Sequence, residues 1–589
     1  MKVFFTRLFI ALGAITFILI VVGILSMFFF RMRARVSDRT ILEIDLSNGV
    51  IEHIPDQPIA RLTIGKIPRV LTVTSALHKA ADDDRIKGAM VKLGPAGIGL
   101  GHVQEIRDAV ATFRKGGKPA WVFSPTFGEL SRGNAAYYLA AAFDKIYTQP
   151  SASVGLTGLM AKSAFLEETL TKLGIKPRLD HREKYKTALY VLTEDEYIEP
   201  HEEAQRAILN SLYDQMITDI SESRKIPKEK LSSIISEGPY LAKEALDLNL
   251  VDKLTYESDV FNELRDATSG RKKALSAARY LKRAGSPYNK GKTIALIHGV
   301  GSITLGKSRY APLSGNFVMG AETITRAFRA AVNDRSVKAI LFRVESPGGS
   351  YVASDAIWRE TVRAREAGKP VVVSMANVAG SGGYFVAMSA HSIVAHRGTI
   401  TGSIGVVGGK MLTTEFWNKF GVAWDQLYTS ENATIWSTTN DYTPEQWKWV
   451  QNWLDMAYRD FMTKAGKGRN MMLEEVREVA KGRIWTGEQA KARGLIDATG
   501  SFADALQIAK EAAGIDADKP VKLKAFPRPR TFLERLAAGE PFTAFESNAG
   551  DAAAIETLRK LQPIIARLRK MGLIEDPGEL SMSEFDIPE

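Results

Sequence analysis

A serine hydroxyl attacks a carbonyl only when a base takes its proton and donors await the oxyanion that forms. The stretch from Val371 to Gly409 holds the parts for such chemistry. A β-branched run opening Val371-Val372-Val373 reads as a buried strand, and Gly380-Ser381-Gly382-Gly383 breaks it. Tyr384 to Ala390 then reads as a helix with Phe385, Val386 and Met388 apolar. Ser381 would therefore sit at a helix N-terminus, where free N–H groups can face developing negative charge. That makes Ser381 a candidate nucleophile and the Gly382 N–H half of an oxyanion hole. Ala379 keeps the motif from being a full G-x-S-x-G, and an ordinary glycine-rich turn is the competing reading. Upstream, Glu345-Ser346-Pro347-Gly348-Gly349-Ser350 follows the apolar run Ala339–Val344. A Gly348/Gly349 loop at a strand end can point a second N–H into the same cleft.

The base is less legible. Of eight histidines, His391 and His396 are nearest in sequence, and His298 ends a predicted strand. His391 falls at the far end of the short helix, poorly placed to reach back. None of the histidines has an obvious partner carboxylate. A lysine is the alternative, but at a pKa of about 10.4 only about one in 2500 is neutral at pH 7. Lowering it to 7 takes roughly 4.6 kcal/mol of desolvation or like-charge repulsion.

The chain that must position these groups has 589 residues, enough for two or more domains. Its 45% apolar and 25% charged content is that of a folded protein. With no cysteine, disulfides, thiolate metal sites and a cysteine nucleophile are excluded. A net charge of +11 could favour anionic lipid or nucleic acid, but no zinc-finger, RNP or P-loop pattern supports nucleic-acid or nucleotide binding. Leu8 to Phe30 carries no charge over 23 residues, long enough to span a bilayer, and no A-x-A-like cleavage site follows it. It reads as a retained anchor after a short tail, 1–7. Arg31, Arg33, Arg35 and Arg39 outnumber Lys2 and Arg7, which leans the bulk of the chain toward the cytoplasm.

A repeat organises the rest. Asp84-Arg85-Ile86-Lys87 matches Arg335-Ser336-Val337-Lys338, and Gly117-Lys118-Pro119 matches Gly368-Lys369-Pro370, both at an offset of 251. Leu250-Val251-Asp252 matches Leu495-Ile496-Asp497 at 245. Two copies of one α/β domain with parallel strands are expected, 41–265 and 293–515, joined by a basic linker, 266–292, and followed by a tail, 516–589. In the second copy Ile294–Ile297, Ala339–Val344, Val371–Val373, Ile393–Ala395 and Ile404–Val407 read as strands. If Tyr137 and Tyr384 are equivalent, Asn134 takes the place of Ser381, so the first copy lacks the nucleophile.

The motifs S-P-G-G-S (346–350), G-K-P-V-V-V-S-M (368–375), S-G-G-Y (381–384), T-G-S-I-G (401–405) and W-T-G-x-x-A-x-x-x-G-L-I-D (485–497) together give the chain a resemblance to the signal peptide peptidase A family, in its long, two-copy bacterial form. The resemblance implies tandem ClpP/crotonase-like α/β domains behind an N-terminal transmembrane helix, and a serine endopeptidase with a Ser/Lys dyad. It implies Ser381 as nucleophile, Lys186 of Tyr185-Lys186-Thr187-Ala188 as general base, Ser403 as the residue orienting the lysine, and Gly382 with Gly348 and Gly349 as the oxyanion hole. Where the family has Y-K-S-A, this chain has Y-K-T-A. On the repeat offset Lys186 falls on Ala433, so each copy holds half of the dyad. The resemblance further implies hydrophobic signal-peptide remnants as substrates, a homotetramer, and a bacterial inner-membrane protein whose catalytic part faces the periplasm, against the charge count. No cofactor, metal or nucleic acid is expected. A crotonase-like acyl-CoA enzyme and a non-enzymatic membrane scaffold are the competing readings.

Overall fold

The computed structural model describes residues 16–17, 21, 35–270, 274–312 and 314–528. The expected anchor at 8–30 lies outside these apart from Thr16, Phe17 and Val21, and so does the tail beyond 528. Among the described residues no helix is long and apolar enough to cross a membrane.

Two parallel sheets repeat one strand order. In the first, Lys253–Leu254, Lys145–Thr148, Ala120–Ser124, Ile86–Leu93, Thr40–Leu46 and Leu275–Ser276 lie side by side. In the second the order is Ala498–Thr499, Ser392–Ala395, Val371–Gly380, Val337–Ser346, Lys292–Val300 and Val521–Phe526. Near-continuous burial along Val337–Ser346 and Val371–Gly380 is what a parallel sheet covered on both faces requires.

Side chains repeat as faithfully as strands. Tyr137 Oη donates to Leu250 O at 2.8 Å, and Tyr384 Oη to Leu495 O at 2.9 Å. Arg224 grips Asp252 as Arg469 grips Asp497, each through two nitrogens. Lys118 Nζ donates to Ala80 O and Asp83 O, at the end of helix Val70–Ala81. Lys369 Nζ does the same to Ala331 O and Asp334 O after helix Ala321–Asn333. A lysine on terminal carbonyls satisfies acceptors the helix itself cannot.

Three local expectations change. Residues 275–284, expected within the linker, belong to the first sheet: Leu275–Ser276 pairs with Thr40–Leu46, and Tyr280 of helix Ala277–Ala284 is fully buried with its hydroxyl on Asp83. Val521–Phe526, expected within the tail, is its counterpart in the second sheet. The strand expected at Ile404–Val407 is instead split into Ile400–Gly402 and Val407–Leu412. Positive φ at Gly402 (81°) and Ser403 (51°) turns the chain between them.

The copies are interlocked rather than merely linked. Lys176–His181 of the first pairs antiparallel with Val407–Leu412 of the second, His181 opposite Val407. Val378, Ile400 and Ile484 of the second copy pack into the core of the first.

Candidate active site

Strand Val371–Gly380 pairs with the short strand Ile400–Gly402, and Gly380 and Gly402 are register partners. Each strand is followed at once by a serine. Ser381 has φ 51°, ψ −119°, and Ser403 has φ 51°. Such backbone costs a non-glycine residue about 1–3 kcal/mol and survives where the surroundings over-determine it. Here they do: Ser381 N–H donates to Gly402 O at 2.9 Å and Ser403 N–H to Arg483 O at 2.8 Å. The two hydroxyls thus leave adjacent strand ends together.

Between them comes Lys186 of the first copy. Its Nζ donates to Ser381 Oγ at 3.0 Å, to Ser403 Oγ at 2.8 Å and to Ser403 O at 3.4 Å. Lys186 is 6% exposed and Ser403 3% exposed, so the amine sits out of bulk water. All three side chains belong to one chain.

The lysine is held by backbone from the second copy. Tyr185 N–H donates to Lys481 O at 3.0 Å. A Cβ on Gly482 would lie 2.6 Å from Lys186 Cβ, and one on Gly405 3.2 Å from Lys186 Cδ, so glycine at both positions admits the lysine stem. Tyr185 Oη donates to Glu203 Oε2 at 2.5 Å, and the Arg483 guanidinium lies over the Tyr185 ring at 4.7 Å. The sequence by itself does not mark Gly482 and Arg483; the signal it offers is their place just before the W-T-G motif.

The second glycine loop closes on Ser381. A Cβ on Gly348 would meet Ser381 Cβ and Gly382 N, each at 2.8 Å. The Gly348 N–H donates to Ser346 Oγ at 3.2 Å. Gly349 bridges to Ile303 through the Gly348 carbonyl and the Ser350 N–H. In such a parallel bridge the N–H of the central residue points to the other side, here toward Gly382. Of the two loop amides, Gly349 is therefore the one free to join Gly382 at an oxyanion. Gly348→Ala should remove at least about 100-fold of the hydrolytic rate, because its methyl would collide with Ser381 Cβ and the Gly382 N and displace both. Steady-state kinetics of the purified variant checks this.

The histidines are elsewhere. His298 stacks on His53 with centroids 4.5 Å apart, and burial, reinforced by His53, holds its pKa well below the ordinary value. His396 faces Glu105 and Asp108 at 3.5 and 3.7 Å. His391 is exposed. In the first copy the position of Ser381 is taken by Asn134, whose side chain accepts from the Thr157 and Gly158 N–H groups and donates to Gly158 O.

A buried polar network joins the copies beside the site. Arg343, 1% exposed, donates through Nη2 to Glu52 Oε2 at 2.9 Å and Glu105 Oε2 at 2.6 Å. Glu52, His102 and Glu345 bring a ligand atom each within 4.8 Å of one another, a spacing a metal ion could use. Their lone pairs and charge are already committed: Arg343 sits on Glu52, and Asn377 Nδ2 donates to Glu345 Oε1 and to His102 Nδ1. A metal on His102 Nε2 would need the Nδ1 proton that Asn377 displaces. The donor set fits shared protons better than a metal.

A serine hydroxyl on a buried amine, beside the backbone amides of two glycine segments, is an arrangement suited to a serine hydrolase. The sequence matches peptidase family S49 over residues 112–270 and 363–516. The chloroplastic serine protease SPPA of Arabidopsis thaliana is 33% identical over 498 residues, 83% of this chain and 72% of that one. Protease 4 of Salmonella typhi is 32% identical over 503 residues (81% and 78%), and Protease 4 of Haemophilus influenzae 29% over 464 (76% and 74%). The chain belongs to peptidase family S49, and it is a serine protease of the signal peptide peptidase A type.

Proposed function

We propose that this protein is a membrane-anchored endopeptidase that cuts hydrophobic peptides, signal-peptide remnants among them, with a Ser381/Lys186 dyad. The observation that carries the reading is the Lys186 Nζ at 3.0 Å from Ser381 Oγ, with Ser403 Oγ at 2.8 Å on the same amine. In this reading the neutral amine takes the Ser381 proton as Oγ attacks the scissile carbonyl carbon. Burial favours the neutral form of an amine, and Ser403 orients it. The N–H groups of Gly382 and Gly349 receive the oxyanion, with Gly348 forming the turn between them. The lysine ammonium then protonates the leaving amine, and the peptide bond breaks to leave an acyl ester on Ser381. Lys186 next takes a proton from water, whose oxygen attacks the ester, and the acid product leaves as Ser381 regains its proton.

The anchor at 8–30 would hold the catalytic part on the periplasmic side of the inner membrane, as a homotetramer on the ClpP/crotonase-like plan, close to lipid and to peptides left in it. The oxyanion loop alone would also suit a crotonase-like acyl-CoA enzyme, but that chemistry has no use for a buried lysine on a serine hydroxyl.

The test is cleavage of a hydrophobic signal-like peptide by the full-length protein in detergent. Wild type should cut it in preference to a polar peptide of equal length, and Ser381→Ala should not cut it. Equal cleavage of both peptides would remove the hydrophobic-substrate reading. Undiminished cleavage by Ser381→Ala would remove the nucleophile.

A further inference from the structure

One half-buried asparagine, Asn377, ties the strand that leads to Ser381 in the second copy to a helix of the first. Helix Leu100–Lys115 starts after Gly99, which has no side chain to cap it. The free N–H groups of its first turn need acceptors. The His102 N–H finds one across the interface, donating to Asn377 Oδ1 at 2.9 Å. The approach is close: a Cβ on Gly99 would lie 2.4 Å from Asn377 Oδ1, and one on Gly101 3.0 Å from Asn377 Cα. The same side chain directs its two protons to residues of both copies. Nδ2 donates to Glu345 Oε1 at 2.7 Å and to His102 Nδ1 at 2.8 Å. His102 Nε2 in turn donates to Glu52 Oε2 at 3.1 Å.

Asn377 also stands where the sheet is irregular. Val344 pairs with Met375 and Ser346 with Ala379, so Ala376, Asn377 and Val378 face Glu345 alone. Bulges of this kind re-aim the chain beside functional sites. Ser381 follows Asn377 by four residues, and Ser346-Pro347-Gly348-Gly349 follows Glu345 directly. The bond between Asn377 and Glu345 therefore joins the strand end that carries the nucleophile to the strand end that carries the glycine loop.

We propose that Asn377 is a positioning residue for peptide hydrolysis. Its carbonyl oxygen caps the helix of the first copy and anchors the bulge there. Its amide nitrogen ties the bulge to Glu345, so that the Ser381 hydroxyl and the Gly349 and Gly382 amides keep one spacing. It has no part in proton transfer and acts only through these neighbours. This rests on the reading of Ser381 as nucleophile.

The experiment uses the full-length protein in detergent, the hydrophobic peptide as substrate, and labelling of serine by a fluorophosphonate. Asn377→Ala should lower kcat about 100-fold, since misplacement by roughly an ångström costs that much, with KM changed less than about threefold. Asn377→Asp should fall as far, because its carboxylate would face that of Glu345. Combining Asn377→Asp with Glu345→Gln exchanges donor and acceptor: the new carboxylate accepts from the His102 N–H and from the new amide at 345. His102, then flanked by carboxylates, carries protons on both nitrogens. This double variant should recover activity and labelling about tenfold or more over Asn377→Asp alone, which a merely structural role would not produce. An unchanged kcat in Asn377→Ala, a loss confined to KM, or a double variant no better than Asn377→Asp overturns the proposal. Ser381→Ala is the control: cleavage surviving there would mean that the nucleophile reading itself had failed, and the proposal with it.

Discussion

Lys186→Met is expected to lower kcat by about 10,000-fold, near the upper end of what a lost general base costs. Methionine keeps the length and apolar volume of the lysine stem, which packs where Gly405 and Gly482 leave room. The fold should therefore survive, and the loss should be chemical. Without the amine, Ser381 keeps its strained backbone, its N–H on Gly402 O and its oxyanion donors, but its hydroxyl has no acceptor for its proton. A loss in kcat at nearly constant KM is the signature of a group needed mainly in the transition state. Peptide-cleavage kinetics and a thermal melt on the same preparation check both halves. Near-wild-type turnover would mean that another base serves Ser381. A collapsed melt would mean that Lys186 is chiefly structural.

Arg343→Met should be the most destabilising single change in the interface, by about 3–5 kcal/mol, because it leaves buried carboxylates without their cation. Glu52 and Glu105 are each 2% exposed at the side chain and share this one guanidinium. Burial works against the Arg343 charge, but Glu105 and Glu52 outweigh it and hold its pKa above the ordinary value. Burial alone would raise the Glu105 carboxyl; the Arg343 charge, together with the hydrogen bond and charge of His396, outweighs burial and holds it at about 2. Glu52 is likewise held well below its ordinary 4.5 against burial, by Arg343 and then His102.

The sign of the pH dependence follows. A depressed carboxyl pKa contributes stability that is present in full above the unfolded value near 4.5 and is lost as pH falls toward about 2. In Arg343→Met burial prevails, the folded carboxyls bind protons more readily than unfolded ones, and stability falls as pH rises through their range. The gap between wild type and variant should be widest near pH 7 and narrow as pH drops toward 4. Denaturation midpoints across that range measure it. A gap independent of pH would mean that the cost is one of packing rather than charge. The site should fail along with the interface, since the same contact surface sets Lys186 against Ser381.

What the sequence reveals and what it hides divide along the range of the interactions. The strand Val371–Gly380, the glycine break and the repeat are local patterns, and the motif spacing carries them. That Ser381 lies one residue past its strand, in register with Ser403 past another, depends on pairing Gly380 with Gly402. No periodicity announces that pairing. Lys186 enters through the family resemblance, because 195 residues separate it from Ser381. The residues at 275–284 look like a linker because they are short and basic, yet Tyr280 is fully buried. Two hints of the interface network were available. Arg343 interrupts the apolar run Ala339–Val344, and Asn377 interrupts the run into Gly380. A charged or amide side chain inside a two-sided buried strand needs a partner. Those partners lie in the other copy, where a search along one strand does not look.

In the proposed dyad, Lys186 of the first copy activates Ser381 of the second within one chain. Its most direct test is mass spectrometry of the full-length protein after treatment with a fluorophosphonate, comparing wild type with Lys186→Met. The wild type should carry a single adduct, on the peptide that contains Ser381, and labelling should be slowed by orders of magnitude in the folded variant. An adduct on a different serine, or Ser381 labelled as fast without the lysine as with it, would contradict it.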